Sequence, residues 1–388
     1  MAKTFRIGGI DFWRGLVLLA ILVDHIPGNL LENWTPRNFG LSDSAEAFVF
    51  LSGLSVGIAY FPKFGEAGLA PVAKGCARRA FKLYQVHLAI TLLGLLIFAA
   101  GYALGGVEEL IQAHGRAFVF QQPASGALGL ALLSHQIGYF NILPLYVALM
   151  LWSPMALWMA SRRPALALLT SVCVYAASRV LGLHLPNWPE PGGWFFNPFA
   201  WQLIFTLGVV AAVAWRERPP ARSPILLALS AAVLIGGAVV VTDGAHVWPG
   251  LRDLAFLHLD LGKQDLGLVR LAHFFALAYV VATAPRLGAI VDSAPGRALQ
   301  RLGRHSLAIF AAGSLLSAVG QAGLATAGRL TSVDVQTGLG IAYTLASVAV
   351  LVGLANHFEG RSHPAGALPS RGSFWRRLSY RERLAPVS

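Results

Sequence analysis

Apolar residues along this chain come in long blocks, separated by short stretches that are basic, polar or rich in glycine and proline. Ten blocks predict helices at about 10–31, 43–61, 79–104, 139–160, 165–183, 198–215, 224–242, 266–285, 305–325 and 335–356. Each is close to the ~20 residues that cross a hydrocarbon layer of about 30 Å at 1.5 Å per residue. The stretch 126–135 is also apolar but too short to span, which predicts a re-entrant or interfacial segment.

Composition agrees with a bilayer as solvent. The 388 residues are 56% hydrophobic and 12% charged, against about 25% charged in an ordinary soluble domain. Mean hydropathy is +0.61. The fold class expected is therefore an all-α polytopic membrane protein of about ten transmembrane helices. A net charge of +12 and a pI near 10.2 would suit a nucleic-acid binder, but the basic residues sit between the apolar blocks and form no continuous binding face. One side of the alternation collects Lys3, Arg6, Lys63, Lys74, Arg78, Arg79, Lys82, Arg162, Arg163, Arg216, Arg218, Arg222, Arg286, Arg297, Arg301, Arg304 and the arginines of the tail. The other holds Arg37, Arg116, Arg179, Arg252, Lys263, Arg270 and Arg329. The positive-inside rule then puts both termini in the cytoplasm, and an even helix count, which keeps the two on one side, agrees. Lys3 and Arg6 before an apolar run resemble a signal peptide, but Arg14 interrupts the run and no small-residue cleavage site follows, so a retained first helix is expected. The division expected is a transmembrane domain over 1–356 and a basic cytoplasmic tail, 357–388, disordered near anionic lipid headgroups. Cys76 and Cys173 share no spacing motif, and no metal site, Walker motif, dinucleotide fingerprint or internal repeat is visible.

The first block, IDFWRGLVLLAILVDHIPGNLL, departs from the others by carrying Asp11, Arg14, Asp24 and His25. Ionisable groups at membrane depth are costly and mark functional sites. Eleven residues at 100° each bring His25 to within about 20° of Arg14, roughly 16 Å further along the axis. Asp24 is turned about 80° from Arg14 and cannot orient His25 from within the same helix. The second block enters from the outer side as SDSAEAFVFLSG, with Ser42, Asp43 and Ser44 as N-cap residues and Glu46 in the first turn. The eighth enters as GKQDLGLVRLAHFF, bringing Arg270 and His273. His25, Glu46 and Arg270 thus share one outer layer. Each also has a structural reading: an interhelical hydrogen bonder, a first-turn carboxylate suiting the helix dipole, and a snorkelling cation. At the inner end Arg78, Arg79, Lys82 and Tyr84 enter the third helix, and Arg304 and His305 the ninth. They are either plain positive-inside anchors or a site for an anionic cytosolic ligand, since arginine pairs with phosphate in bidentate fashion. The outer loop HLPNWPEPGGWFFNPFAW offers Trp188, Trp194, Asn197 and Trp201, as an interfacial aromatic belt or as a stacking platform for sugar rings.

The segments DFWRG, LVDHIPGN and SDSAEAFVFLSG, with NILPLY (141–146), FNPFAWQLIF (196–205) and LGRHSLAIF (302–310), resemble the OpgC family of inner-membrane proteins that succinylate osmoregulated periplasmic glucans. The family is similar to the wider transmembrane acyltransferases, whose first-helix signature is an Arg, ten intervening residues and a His. Arg14 and His25 match it, with GLVLLAILVD between them. The resemblance implies a succinyltransferase with catalytic His25, a cytosolic acyl-CoA donor (succinyl-CoA as co-substrate) and a periplasmic sugar hydroxyl as acceptor. On that basis Arg78, Arg79, Lys82 and Arg304 would hold the nucleotide phosphates and Arg14 would flank the pantetheine arm. His25 would act as base; the shared outer layer, not the resemblance, makes Glu46 its orienting carboxylate and Arg270 the reader of the succinyl carboxylate, unless Arg270 pairs with Glu46 or Asp265 instead. The rivals are an acyltransferase with another donor or polysaccharide acceptor, and a proton-coupled transporter with Asp24, His25 and Glu46 as relay.

Overall fold

The computed structural model describes residues 8–215, 220–244, 246–284 and 287–362. Lys3, Arg6, Arg216, Arg218, Arg286 and the tail from 363 onward lie outside the described residues. Among those described every regular element is a helix, with one isolated bridge between Pro186 and Gly193. Ten helices have sixteen residues or more: α1 (Gly8–Asp24), α2 (Ser44–Ala67), α3 (Leu69–Gly105), α4 (Ile142–Arg162), α5 (Pro164–Val180), α6 (Pro198–Ala214), α7 (Pro224–Val241), α8 (Leu268–Thr283), α9 (Ser306–Ala327) and α10 (Val333–Ser362). Each lies on one of the ten apolar blocks. Six of them, α2, α3, α4, α7, α9 and α10, are long and apolar enough to cross a membrane, and α5, α6 and α8 are shorter apolar helices.

The helix ends differ from the apolar blocks where side chains decide the matter. α1 stops at Asp24 rather than near 31, because Pro27 disfavours helical backbone at the residue before it and Gly28 has φ 80°. The freed carbonyls are capped by side chains: the Asn29 amide donates to Val23 (3.0 Å) and Ile26, and Gln321 of α9 donates to the His25 carbonyl at 2.9 Å. α3 begins ten residues earlier than its apolar block, with a basic, half-exposed first part containing Lys74, Arg78 and Arg79. α10 runs to Ser362, past the end of its apolar block.

Close helix crossings hold the bundle together. A Cβ at Gly53 of α2 would collide with the Phe205 carbonyl of α6, and one at Gly208 of α6 with the Phe50 carbonyl of α2. Small residues at such crossings replace hydrophobic driving force with close van der Waals contact, as membrane helix packing requires. The amphipathic helix Ala294–Arg304, absent from the apolar pattern, crosses α1 the same way, with Gly15 against the Leu299 carbonyl and Gly303 against that of Asp11. It buttresses the end of α1 nearest Arg14. The segment between α3 and α4 folds back along α3. Arg116 lies over the Phe98 ring while the Tyr84 hydroxyl donates to the Ala131 carbonyl at 2.8 Å. Those two points on α3 are fourteen residues, about 21 Å, apart. The short apolar stretch is accordingly a helix, Pro123–Ala131, laid against the bundle, and Tyr84 belongs with it rather than with the basic end.

Candidate active site

α1 places Arg14 and His25 toward opposite ends of one helix face. The His25 amide still donates to the Ile21 carbonyl at 3.1 Å, so the helical register that aligns the two residues runs through His25. At one end the Arg14 Nη2 donates to the Ser306 hydroxyl at 2.6 Å, while its Nε is buried with no hydrogen-bond partner. At the other, the His25 ring packs on Tyr139 with centroids 4.7 Å apart, and Tyr139 packs on His114 at 4.9 Å. The fields of Lys263, Asp43 and Arg37 reach the His25 ring. Asp24 points elsewhere, as the helical wheel requires: it accepts from the Thr35 hydroxyl at 2.6 Å and faces Arg37 at 3.8 Å.

Beside this end lies a buried charge network. Asp43 caps α2: its Oδ1 accepts from the Ala45 amide at 2.8 Å, while the Glu46 Oε2 accepts from the Asp43 amide at 2.9 Å, a reciprocal capping box. Glu46, fully buried, uses its other oxygen to accept from Arg270 of α8, at 2.8 Å from Nε and 2.6 Å from Nη2. Arg270 also reaches the Asp43 Oδ2 at 3.1 Å, and Lys263 reaches the same atom at 2.6 Å. Burial pushes the Asp43 carboxyl up, but Lys263 and Arg270 outweigh it and hold Asp43 well below the usual carboxylate range. Both Glu46 oxygens are thus committed, and the ring against His25 is Tyr139 rather than a carboxylate. The Arg270 guanidinium is likewise matched by two carboxylates. Next to it, His273 Nδ1 and the Ser42 hydroxyl share a hydrogen bond of 2.8 Å.

The aromatic loop divides sharply by burial. Trp188 is 43% exposed, whereas Trp194 is 6% and Trp201 0% exposed. Trp201 donates its indole N–H to the carbonyls of Lys263 and Gln264, both at 3.1 Å. Asn197 caps α6 through Phe199 and donates to Leu183 and Asp265, both at 2.8 Å. These two side chains tie the 183–197 loop to the 260–267 loop, and Trp201 offers no free face to a sugar. Trp188 does.

At the basic end, α2 and α3 enclose a cavity of about 530 Å³ lined by Tyr60, Lys63, Pro71, Val72, Gly75, Arg78, Arg79 and Lys82. The three cations expected from α3 therefore share one concave surface. Tyr60 and Lys63 join them from α2, with the ammonium 5.4 Å from the Tyr60 ring centre. Their spacing of three residues near the basic end of the second apolar block was the signal available in the sequence. Arg79 is close enough to Arg14 for the two charges to interact, linking the cavity to the α1 stripe. Arg304 is not part of this surface. Glu359 of α10 takes its Nε at 3.1 Å and its Nη2 at 3.0 Å, and His305 at 3.2 Å, so a local carboxylate already occupies the guanidinium. Among the described residues no cluster of His, Cys, Asp or Glu is arranged to hold a metal ion.

A family model described as OpgC protein matches residues 6–360 of this chain. No curated protein and no solved structure matches it.

Proposed function

The chain belongs to the OpgC protein family, and we propose that it is a multi-pass enzyme of the bacterial inner membrane that moves a succinyl group from cytosolic succinyl-CoA to hydroxyls of periplasmic glucans. In this reading all ten long helices span, including α1 with its charges and the shorter α5, α6 and α8, and both termini are cytoplasmic. The observation that carries the proposal is the pairing of the two ends: a basic cavity of about 530 Å³ at one and the His25 ring against Tyr139 at the other, joined by the α1 face that bears Arg14.

The nucleotide phosphates sit on Lys63, Arg78, Arg79 and Lys82, where several cations in one concavity attract a polyanion. The pantetheine arm runs along α1 past Arg14, whose unpartnered Nε supplies a donor to an amide carbonyl. The roughly 16 Å from Arg14 to His25 then delivers the thioester to the imidazole. A glucose hydroxyl attacks the thioester carbonyl as a neutral His25 nitrogen takes its proton. The tetrahedral intermediate collapses by breaking the carbon–sulfur bond, and the imidazolium returns its proton to the departing thiolate, leaving an ester and free CoA. Glu46 contributes through Arg270 and Asp43, by fixing the α2–α8 contact beside His25. Trp188 is the sugar-stacking face. A proton relay through Asp24, His25 and Glu46, as a transporter would need, finds no support, because Asp24 is held by Thr35 and Glu46 by Arg270.

Mass spectrometry of periplasmic glucans tests the reading. Cells with the protein should yield glucans heavier by whole succinyl groups. His25→Ala should abolish the shift while the protein remains in the membrane at normal abundance. An acetyl shift would change the donor, and wild-type acylation by His25→Ala would remove His25 from catalysis.

A further inference from the structure

Two buried arginines, one on α8 and one in the segment packed along α3, differ in what balances them. Arg270 is matched by Glu46 and Asp43. Arg116, 2% exposed, forms no ion pair with any carboxylate among the described residues. Its guanidinium lies 4.0 Å from the centre of the Phe98 ring, and its Nη2 donates to the Glu109 carbonyl at 3.1 Å. Its Nε and Nη1 are buried with no partner. The Glu109 carboxylate is near enough to act on the guanidinium but forms no ion pair with it, and a buried cation without a paired anion is costly. The two open donors on this cation fit an anionic ligand.

The backbone around Arg116 is built toward His25. His114 and Tyr139 hold left-handed conformations, with φ 60° and 70°, and Gly115 between His114 and Arg116 has φ 78°. Side chains rarely adopt that region, and residues kept there mark constraint at functional positions. The two turns are tied together by the Gly138 amide, which donates to the His114 carbonyl at 2.8 Å, and by His135 Nε2, 2.8 Å from the Gly115 carbonyl. The result is a stack of His25, Tyr139 and His114, with ring centroids 4.7 and 4.9 Å apart, ending beside Arg116. On α3, Phe140 packs against Gly94 while Arg116 lies over Phe98. That is one helical turn, about 6 Å, further from the basic end. Arg116 therefore lies about one turn further from the basic end than Phe140, the chain neighbour of the Tyr139 ring that packs on His25.

Resting on the acyl-transfer reading above, we propose that Arg116 binds the terminal carboxylate of a dicarboxylic acyl group while its thioester lies at His25, and so selects that donor over a neutral acyl-CoA. The planar guanidinium fork suits a carboxylate, and a buried donor set discriminates strongly against an analogue that leaves it unpaired.

The test compares succinyl-CoA with butyryl-CoA, which has the same chain length and a methyl group in place of the carboxylate. Full-length protein in proteoliposomes is given a glucan acceptor and each donor in turn. Wild type should prefer succinyl-CoA. Arg116→Gln should lower the succinyl-to-butyryl ratio of kcat/KM by roughly 10- to 100-fold, chiefly through the KM for succinyl-CoA. Arg116→Lys, which keeps the charge and loses the fork, should lower it less, and it carries the same comparison if the glutamine variant fails to accumulate. Equal loss with both donors, or an unchanged ratio, overturns the proposal and leaves Arg116 as a brace on Phe98. Wild type that uses both donors equally also overturns it, with acyl transfer standing. Wild type that transfers neither acyl group refutes the acyl-transfer reading itself, and the proposal falls with it.

Discussion

Removing Arg270 should act on stability before it acts on donor choice. Arg270 is 7% exposed and Glu46 0%, and two contacts of 2.8 and 2.6 Å join them. Arg270→Met leaves the Glu46 carboxylate buried with only the Asp43 amide as donor, whereas Asp43 keeps Lys263. Breaking one side of a buried pair costs about 3–5 kcal/mol, and the remaining Lys263–Asp43 contact puts this case toward about 3 kcal/mol. Glu46→Gln leaves Arg270 still facing Asp43 at 3.1 Å, so about 2 kcal/mol is expected. The double variant strands no carboxylate at position 46. It should cost less than the sum of the singles, with a coupling of roughly 2 kcal/mol. Titrating the purified protein with denaturing detergent in mixed micelles, read by circular dichroism, gives all four corners of the cycle. Transfer from succinyl-CoA and acetyl-CoA, measured on the same preparations, should fall in parallel. Additive costs below about 1 kcal/mol each would refute a brace between α2 and α8. A stable Arg270→Met protein that lost only succinyl transfer would return Arg270 to donor recognition.

Three further outcomes follow from the opposite ends of the bundle. Arg78→Ala with Arg79→Ala should weaken acyl-CoA binding to the purified protein, more at low ionic strength than at high, because partly exposed charge attraction is screened over about 10 Å at 0.1 M salt; CoA binding equal to wild type would reduce the cavity to a topology signal. Trp188→Ala should raise the KM for the glucan with little change in stability, since that ring is 43% exposed. Trp201→Ala should instead destabilise the protein by about 3–5 kcal/mol, as expected for a buried aromatic, and the reverse pattern would overturn the division of the aromatic loop.

Features with purely local causes were legible in the order of residues alone. Apolar blocks near the length of a membrane crossing located the ten long helices, because hydrophobicity per block depends on nothing outside the block. The 100° step put Arg14 and His25 on one face, and the Asp43–Glu46 spacing is a capping box wherever a helix starts there. Even the turning of Asp24 away from His25 follows from the helix alone. Other features depended on contacts between residues far apart in the chain. Glu46 and Arg270 are separated by 224 positions, and their pairing, rather than a Glu46–His25 contact, came from how α2 and α8 meet. Trp188 and Trp201 look alike in an aromatic loop; only the 260–267 loop closing over Trp201 makes one structural and leaves the other free. Glu359 sits beyond the last apolar block, so nothing local foretold that it would take Arg304 from the basic end. Arg116 was one basic residue among those on the sparsely charged side. Its burial over Phe98, and its nearness to the ring that covers His25, arise only because the segment between α3 and α4 folds back on α3. Periodicity records which face a residue occupies, and packing alone decides what stands opposite it.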